Sequence, residues 1–185
     1  MTESLAEQAV SIRLLAHAGI SDVAALGLRN RADLEQTGPA RPESAYTEAA
    51  QRQRLESKLE ECERGVRRYW TIHVGDDLAG DIELNRIDRG TWQTANVGYL
   101  VDASFRGRGV ATAALRLVMR ESFEDLHLHR LDAGALTTNR ASQRVLEKAG
   151  FRRIGLLERH FYIAGSWRDH YWYEMLGPDR EPAVA

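Results

Sequence analysis

Phe105-Arg106-Gly107-Arg108-Gly109-Val110-Ala111 stands where two periodicities meet. Before it, Trp92 to Val101 (WQTANVGYLV) reads as a strand. After it, Ala111, Leu115, Val118, Met119 and Phe123 recur at helical spacing. A strand that passes through a glycine-rich turn into a helix makes an anion cradle. Glycines let the backbone approach a ligand, the first-turn N–H groups have no helical partner, and the helix dipole favours negative charge there. Arg106 and Arg108 add positive charge, and a pyrophosphate suits such a cradle. The two glycines are too few for G-x-G-x-x-G, and no Gly-Lys-Ser/Thr is present, so the dinucleotide-binding and P-loop readings fail. An Arg-Gly RNA tail fails too, because a strongly periodic helix follows at once.

Working outward, Arg68–Val74 and Leu78–Ile87 read as strands, separated by the turn Gly75-Asp76-Asp77. Asp88-Arg89-Gly90 leads on to the strand that ends at Val101. Turns this short imply an antiparallel meander. Toward the N-terminus, Val10–Leu15 is a short strand. Ser21-Asp22 reads as a helix start, with Val23, Leu26 and Leu28 on its apolar face. Gly38-Pro39-Ala40-Arg41-Pro42 is a break. Glu43–Arg64 reads as one helix, with Leu55, Leu59, Cys62 and Val66 on one side. Toward the C-terminus, His129–Leu136 is a strand. Asn139 caps a helix carrying Val145, Leu146 and Ala149, and Gly150 stops it. Phe151–Ile163 and Trp167–Leu176 form a last hairpin through Ala164-Gly165-Ser166. The order is β-α-α-β-β-β-α-β-α-β-β, an α+β (mixed α/β) chain.

The 185 residues fit one domain, 1–176, with a polar tail at 177–185 and a polar stretch to Gln8. Twenty-five Lys and Arg against 27 Asp and Glu give a net charge of −2, which excludes a globally basic nucleic-acid binder. Cys62 is the single cysteine, so no internal disulfide and no multi-cysteine metal site is expected, and a reducing cytoplasm fits. No apolar run is long enough for a membrane span, and Met1-Thr2-Glu3-Ser4 is not the basic start of a secretory leader.

A second constellation follows the cradle: Asn139-Arg140-Ala141-Ser142, Leu146 and Gly150-Phe151. Arg106-x-x-Gly109-x-Ala111 resembles the acetyl-CoA motif of the GNAT N-acetyltransferases, and Asn139-x-x-Ser142 with Gly150-Phe151 resembles their second motif. Val97-Gly98-Tyr99, the serine at 142 and Gly165-x-Trp167-x-Asp169 are most similar to the RimJ/RimL branch, which acetylates N-terminal α-amines of ribosomal proteins. The likeness spans about residues 10 to 176. It implies a mostly antiparallel seven-stranded sheet, splayed after Val101 and flanked by helices. The pantetheine arm of acetyl-CoA would lie in the gap, against backbone groups of Tyr99, Leu100 and Val101. Gly107, Arg108, Gly109, Val110, Ala111 and Thr112 would hold the pyrophosphate with Arg106 nearby, and Asn139 would touch the pantetheine or phosphate end.

The same likeness assigns Ser142 to the departing thiol, because Leu146 stands where many relatives carry an acidic tyrosine. Gly134 and Asn96 stand where relatives carry glutamate. Glu83, acting through water, is the replacement base, ahead of Glu158 and His129. An α-amine of pKa about 7.8 is ~14% neutral at pH 7, whereas a lysine at about 10.4 is only ~0.04% neutral. A weak base therefore suits an α-amine acceptor. The leading expectation is acetyl transfer to a protein N-terminus, with a small-molecule amine as the rival acceptor and a non-catalytic acyl-CoA-binding module as the rival class. The aromatics Phe161, Tyr162, Trp167, Tyr171, Trp172 and Tyr173 are expected in the core, on a homodimer face, or in part around the acceptor.

Overall fold

Adjacent residues of one strand carry the core to both faces of the sheet: Tyr69 and Trp70 are each 1% exposed and belong to different apolar clusters. The structure is a computed structural model and describes residues 9–179, so the stretch to Gln8 and residues 180–185 lie outside it. Along the chain run β1 (Val10–Leu14), α1 (Ile20–Arg29), α2 (Arg31–Thr37), α3 (Glu48–Glu63), β2 (Arg68–Val74), β3 (Asp77–Asp88) and β4 (Thr94–Val101). Then come α4 (Val110–Glu124), β5 (Arg130–Leu136), α5 (Arg140–Ala149), β6 (Arg152–Ile163) and β7 (Ser166–Leu176). The strands form one seven-stranded sheet in the order β1-β2-β3-β4-β5-β7-β6. All neighbours are antiparallel except β4 and β5, whose parallel pairing needs a crossover, and α4 supplies it.

The larger cluster packs Trp70, Ile72, Ile82, Leu84, Val97 and Val101 against Ala114, Leu115 and Val118 of α4. The smaller one, on the other face, joins Leu15, Val23, Leu55 and Tyr69, with Leu59 and Cys62 against them. Each large apolar side chain so buried contributes about 1.5–3 kcal/mol.

Several boundaries differ from the sequence reading. The first helix starts at Ile20, after Gly19, with Asp22 already in its first turn. The expected helix over 43–64 is a 3-10 turn (Glu43–Tyr46) followed by α3, whose start is fixed where Thr47 Oγ1 accepts from the Ala50 N–H at 3.2 Å. Val66 lies past the end of α3 and is exposed, because Gly65, at φ 72°, has already turned the chain. Trp92 precedes its strand and is exposed. Helix α2 has no counterpart in the sequence reading. None of its residues is buried, so it carries no apolar period to read.

Candidate active site

The parallel pair opens almost as soon as it forms. β4 and β5 pair only at Thr94–Arg130, Ala95–Leu131 and Asn96–Asp132. At the last rung the Asn96 side-chain amide donates to the Asp132 carbonyl at 3.2 Å, a clamp at the vertex. Beyond it β4 stays with β3 as far as Val101, while β5 stays with β7 as far as Leu136. The strands diverge and leave a cleft of about 230 Å³. It is bordered by Val97, Gly98 and Tyr99 of β4, by Ala133 to Leu136 of β5, and by Asn139, Ser142 and Leu146. Thr37 and His170 complete it. The backbone edge that β4 turns toward β5 has no ladder partner there, and such groups call for one.

At the open end, Gly107 and Gly109 both take positive φ, 72° and 83°, and Gly109 caps α4. Ala113 is the first residue of this helix whose N–H finds a backbone acceptor, the Gly109 carbonyl at 3.0 Å. Among the described residues the N–H groups of Gly107 through Thr112 have none, so six donors gather at the positive end of the helix dipole. That arrangement fits a pyrophosphate. Arg108 lies over the Phe105 ring. Arg106 is committed elsewhere: its Nε donates to the Val101 carbonyl at 2.9 Å, and its two terminal nitrogens grip Asp33 of α2 at 3.1 and 2.8 Å. Arg106 thus ties the cradle to α2.

Asp102 anchors the same turn. It accepts from Ser104 Oγ at 2.6 Å, Arg29 Nε at 2.6 Å and Asn30 Nδ2 at 2.9 Å. The Ser104 hydroxyl, followed by Arg29 and Asn30, outweighs burial and holds its carboxyl well below the ordinary range.

Inside the cleft two hydroxyls meet. Tyr99 Oη lies 2.9 Å from Ser142 Oγ and 3.3 Å from the Ser142 carbonyl. Alternation on β4 sends Tyr99 to the α4 face, where α5 presents Ser142. Asn139 Oδ1 accepts the Ser142 N–H at 3.0 Å, the expected cap, so this asparagine also sets the position of the serine. Burial pushes the Tyr99 hydroxyl up to about 12, against the opposing effect of Ser142. The phenol is therefore protonated at neutral pH. The sequence reading used only the backbone of Tyr99; its side chain was legible just as one aromatic residue in a strand.

Glu83 lies on the other face, opposite Gly98 in the β3–β4 register. Lys58 Nζ is 2.7 Å and Arg67 Nη1 2.5 Å from its carboxylate. Burial alone would raise Glu83, but the two cations prevail and hold it below the ordinary range. Asp81, two residues earlier on the same face, is raised to about 6, chiefly by burial, with Lys58 opposing. Trp172 covers Gly134 in this part of the sheet: a Cβ at 134 would stand 2.9 Å from the indole. A larger residue at 134 would displace that ring. His170, on β7, borders the cleft; burial lowers its pKa. Glu158 and His129 do not border the cleft. Tyr173 is fully buried, whereas Tyr162 and Trp167 are exposed.

A larger cavity, about 740 Å³, opens between α1 and the strands β1 to β3. It contains neither the strand gap nor the hydroxyl pair. Among the described residues, no three His, Cys, Asp or Glu side chains converge as a metal site, and no helix is long and apolar enough to cross a membrane.

A parallel strand pair split open beside a helix-terminal anion cradle defines an acyltransferase fold. Residues 12–152 match the family described as the acetyltransferase (GNAT) domain, and the chain belongs to that family. It is 39% identical over 160 residues to the probable N-acetyltransferase YjcK of Bacillus subtilis (strain 168), covering 84% of this chain and 88% of that one. It is 27% identical over 155 residues to the [ribosomal protein uS5]-alanine N-acetyltransferase of Escherichia coli (strain K12), covering 83% of this chain and 80% of the relative. Among solved structures, the ribosomal-protein-S5-alanine acetyltransferase of Vibrio fischeri superposes with a TM-score of 0.84 at 26% identity, covering 94% and 96% of the two chains. Mycobacterium smegmatis RimJ, solved with CoA-disulfide, gives 0.83 at 27% identity, covering 90% of this chain and 81% of RimJ.

Proposed function

We propose that this acetyltransferase takes its acetyl group from acetyl-CoA and delivers it to the N-terminal α-amine of a protein, by direct attack. The observation that carries the reading is the Tyr99–Ser142 hydroxyl pair inside the strand gap, close to six unpaired N–H donors at the cradle. The names of the RimJ-type relatives support the acceptor class.

Acetyl-CoA, when bound, supplies an activated acyl carbonyl and a thiol leaving group. Gly107, Arg108, Gly109, Val110, Ala111 and Thr112 would hold its pyrophosphate, and backbone groups of Tyr99, Leu100 and Val101 would line its arm. Asn139 positions Ser142. Either hydroxyl of the pair can donate to the other, and when the protonated Tyr99 phenol is the donor the serine proton is free to point into the gap. Ser142 then acts as a hydrogen-bond donor toward the departing sulfur. A thiol of pKa near 8.5 asks for little more than that. On the opposite face Glu83 is ionised but pinned by Lys58 and Arg67, so it is a weaker base than a free glutamate. Its part is to order water and hold charge beside an amine that is already partly neutral. The single cysteine, Cys62, suits a cytoplasmic protein, and we assign that compartment.

A peptide carrying both a free N-terminus and an internal lysine tests the acceptor by mass spectrometry. Acetyl groups on the N-terminus are expected. Acetyl groups mainly on the lysine would refute the α-amine assignment, and transfer to small amines alone would replace it.

A further inference from the structure

Two guanidinium groups on the Glu83 face of the sheet make no hydrogen bond or ion pair among the described residues. Arg41 Nη1 and Arg54 Nε are buried without a hydrogen-bond partner. Neither side chain enters an ion pair among the described residues, whereas neighbouring Arg31 and Arg67 each grip carboxylates. Three nearby acids are already engaged, Glu83 with Lys58 and Arg67, Glu61 with Arg67, and Glu43 with Arg31; Asp81, buried on the same face, feels the charge of Arg54 but makes no ion pair with it. Burying part of a cation without a partner is costly, and two guanidiniums in each other's field repel. Arg41 shows both effects, since burial first and Arg54 second lower its pKa.

The position of the pair matters as much as its charge. Arg41 lies just beyond Pro39, which bridges to Ile163 at the turn of the last hairpin, and four residues after Thr37, which borders the cleft. Arg54 sits one helical turn before Lys58, which grips Glu83; Glu83 in turn is paired with Gly98 at the cleft wall. Neither arginine borders the cleft itself; both stand on the Glu83 face of the sheet, the side across from Ser142. The planar guanidinium forks of two arginines match a carboxylate well.

We propose that Arg41 and Arg54 form an anion subsite that receives a carboxylate carried by the acceptor, a few bonds from the amine that is acetylated. The inference rests on the acetyltransferase reading and narrows its substrate class to acidic acceptors. The carboxylate comes either from an acidic side chain near a peptide N-terminus or from the terminal carboxylate of a short acceptor.

Binding to the CoA-loaded protein, measured by calorimetry, tests it with two matched pairs. The first is Ala-Glu-Glu-Ser amide against Ala-Gln-Gln-Ser amide. The second is the dipeptide Ala-Gly as free acid against its amide. At least tenfold tighter binding of the acidic member of either pair is expected, and the pair that shows it identifies the source of the carboxylate. The doubly substituted Arg41→Gln, Arg54→Gln chain, checked for folding by circular dichroism, should bring that ratio to within about twofold. Equal affinities in both pairs, binding of none of the four, or a preference that survives in the folded double variant overturns the subsite. The wild-type comparison stands without the variant should the variant fail to fold. A peptide bound with the expected preference yet never acetylated would refute the acetyltransferase reading and leave the subsite in place.

Discussion

Gly109 holds φ at 83° at the first turn of α4, a conformation that L side chains rarely take. Gly109→Glu adds backbone strain and puts a negative charge among six N–H donors arranged for an anion. Calorimetry on the folded variant should show acetyl-CoA binding lost. At the other end of the cleft, the Ser142 hydroxyl is within hydrogen-bond reach of Tyr99. Ser142→Ala should lower kcat on the order of 10- to 100-fold with little change in acetyl-CoA affinity, the low end for acid–base assistance. Tyr99→Phe removes only the group that orients that serine. It should lower kcat less than Ser142→Ala does, and the double variant should be no worse than Ser142→Ala alone. Steady-state kinetics on the three variants checks this, and additive losses would mean that the hydroxyls act separately.

Strand β3 shows how one element carries opposite charges of meaning. Glu83 is lowered by its two cations, while Asp81 is raised to about 6 by burial. A carboxyl whose folded pKa lies above its unfolded value near 3.9 favours the fold at low pH. That contribution is complete below the unfolded value and is lost as pH rises through about 6. Asp81→Asn should therefore leave Tm almost unchanged at pH 4 and raise it at pH 8, the gain in stability being roughly 3 kcal/mol at about 1.36 kcal/mol per pKa unit. Thermal melts at the two pH values measure the difference directly. Helices divide in the same way by what their residues touch. α4 and α5 were legible because their apolar residues recur and Asn139 and Gly150 mark the ends of α5. α2 was not, although Arg106 depends on its Asp33, because every residue of it faces at least partly outward.

At the scale of the molecule, the open sheet separates two faces: a glycine turn and hydroxyl pair near α4 and α5, and a charged face under α3, the proposed acceptor side. Glu83 is pinned by two cations, so in the proposed reading the acceptor brings its own neutral fraction. The rate with an α-amine peptide should rise from pH 6 to about 8 and then level as the amine titrates. A continued rise toward pH 10 would point to lysine. The sequence by itself determined the seven strands and the helices around them apart from α2, the glycine turn at Gly107 and Gly109, the cap at Asn139 and the family. Those features are local, set by periodicity, glycine and capping within a few residues. Only the tertiary structure decided that Tyr99 meets Ser142, 43 residues away in sequence, and that Arg106 is spent on Asp33. It alone showed that Glu83 is pinned while Arg41 and Arg54 are left unpaired. Hydrogen bonding and desolvation depend on which distant segments share a face, and a linear pattern does not carry that information.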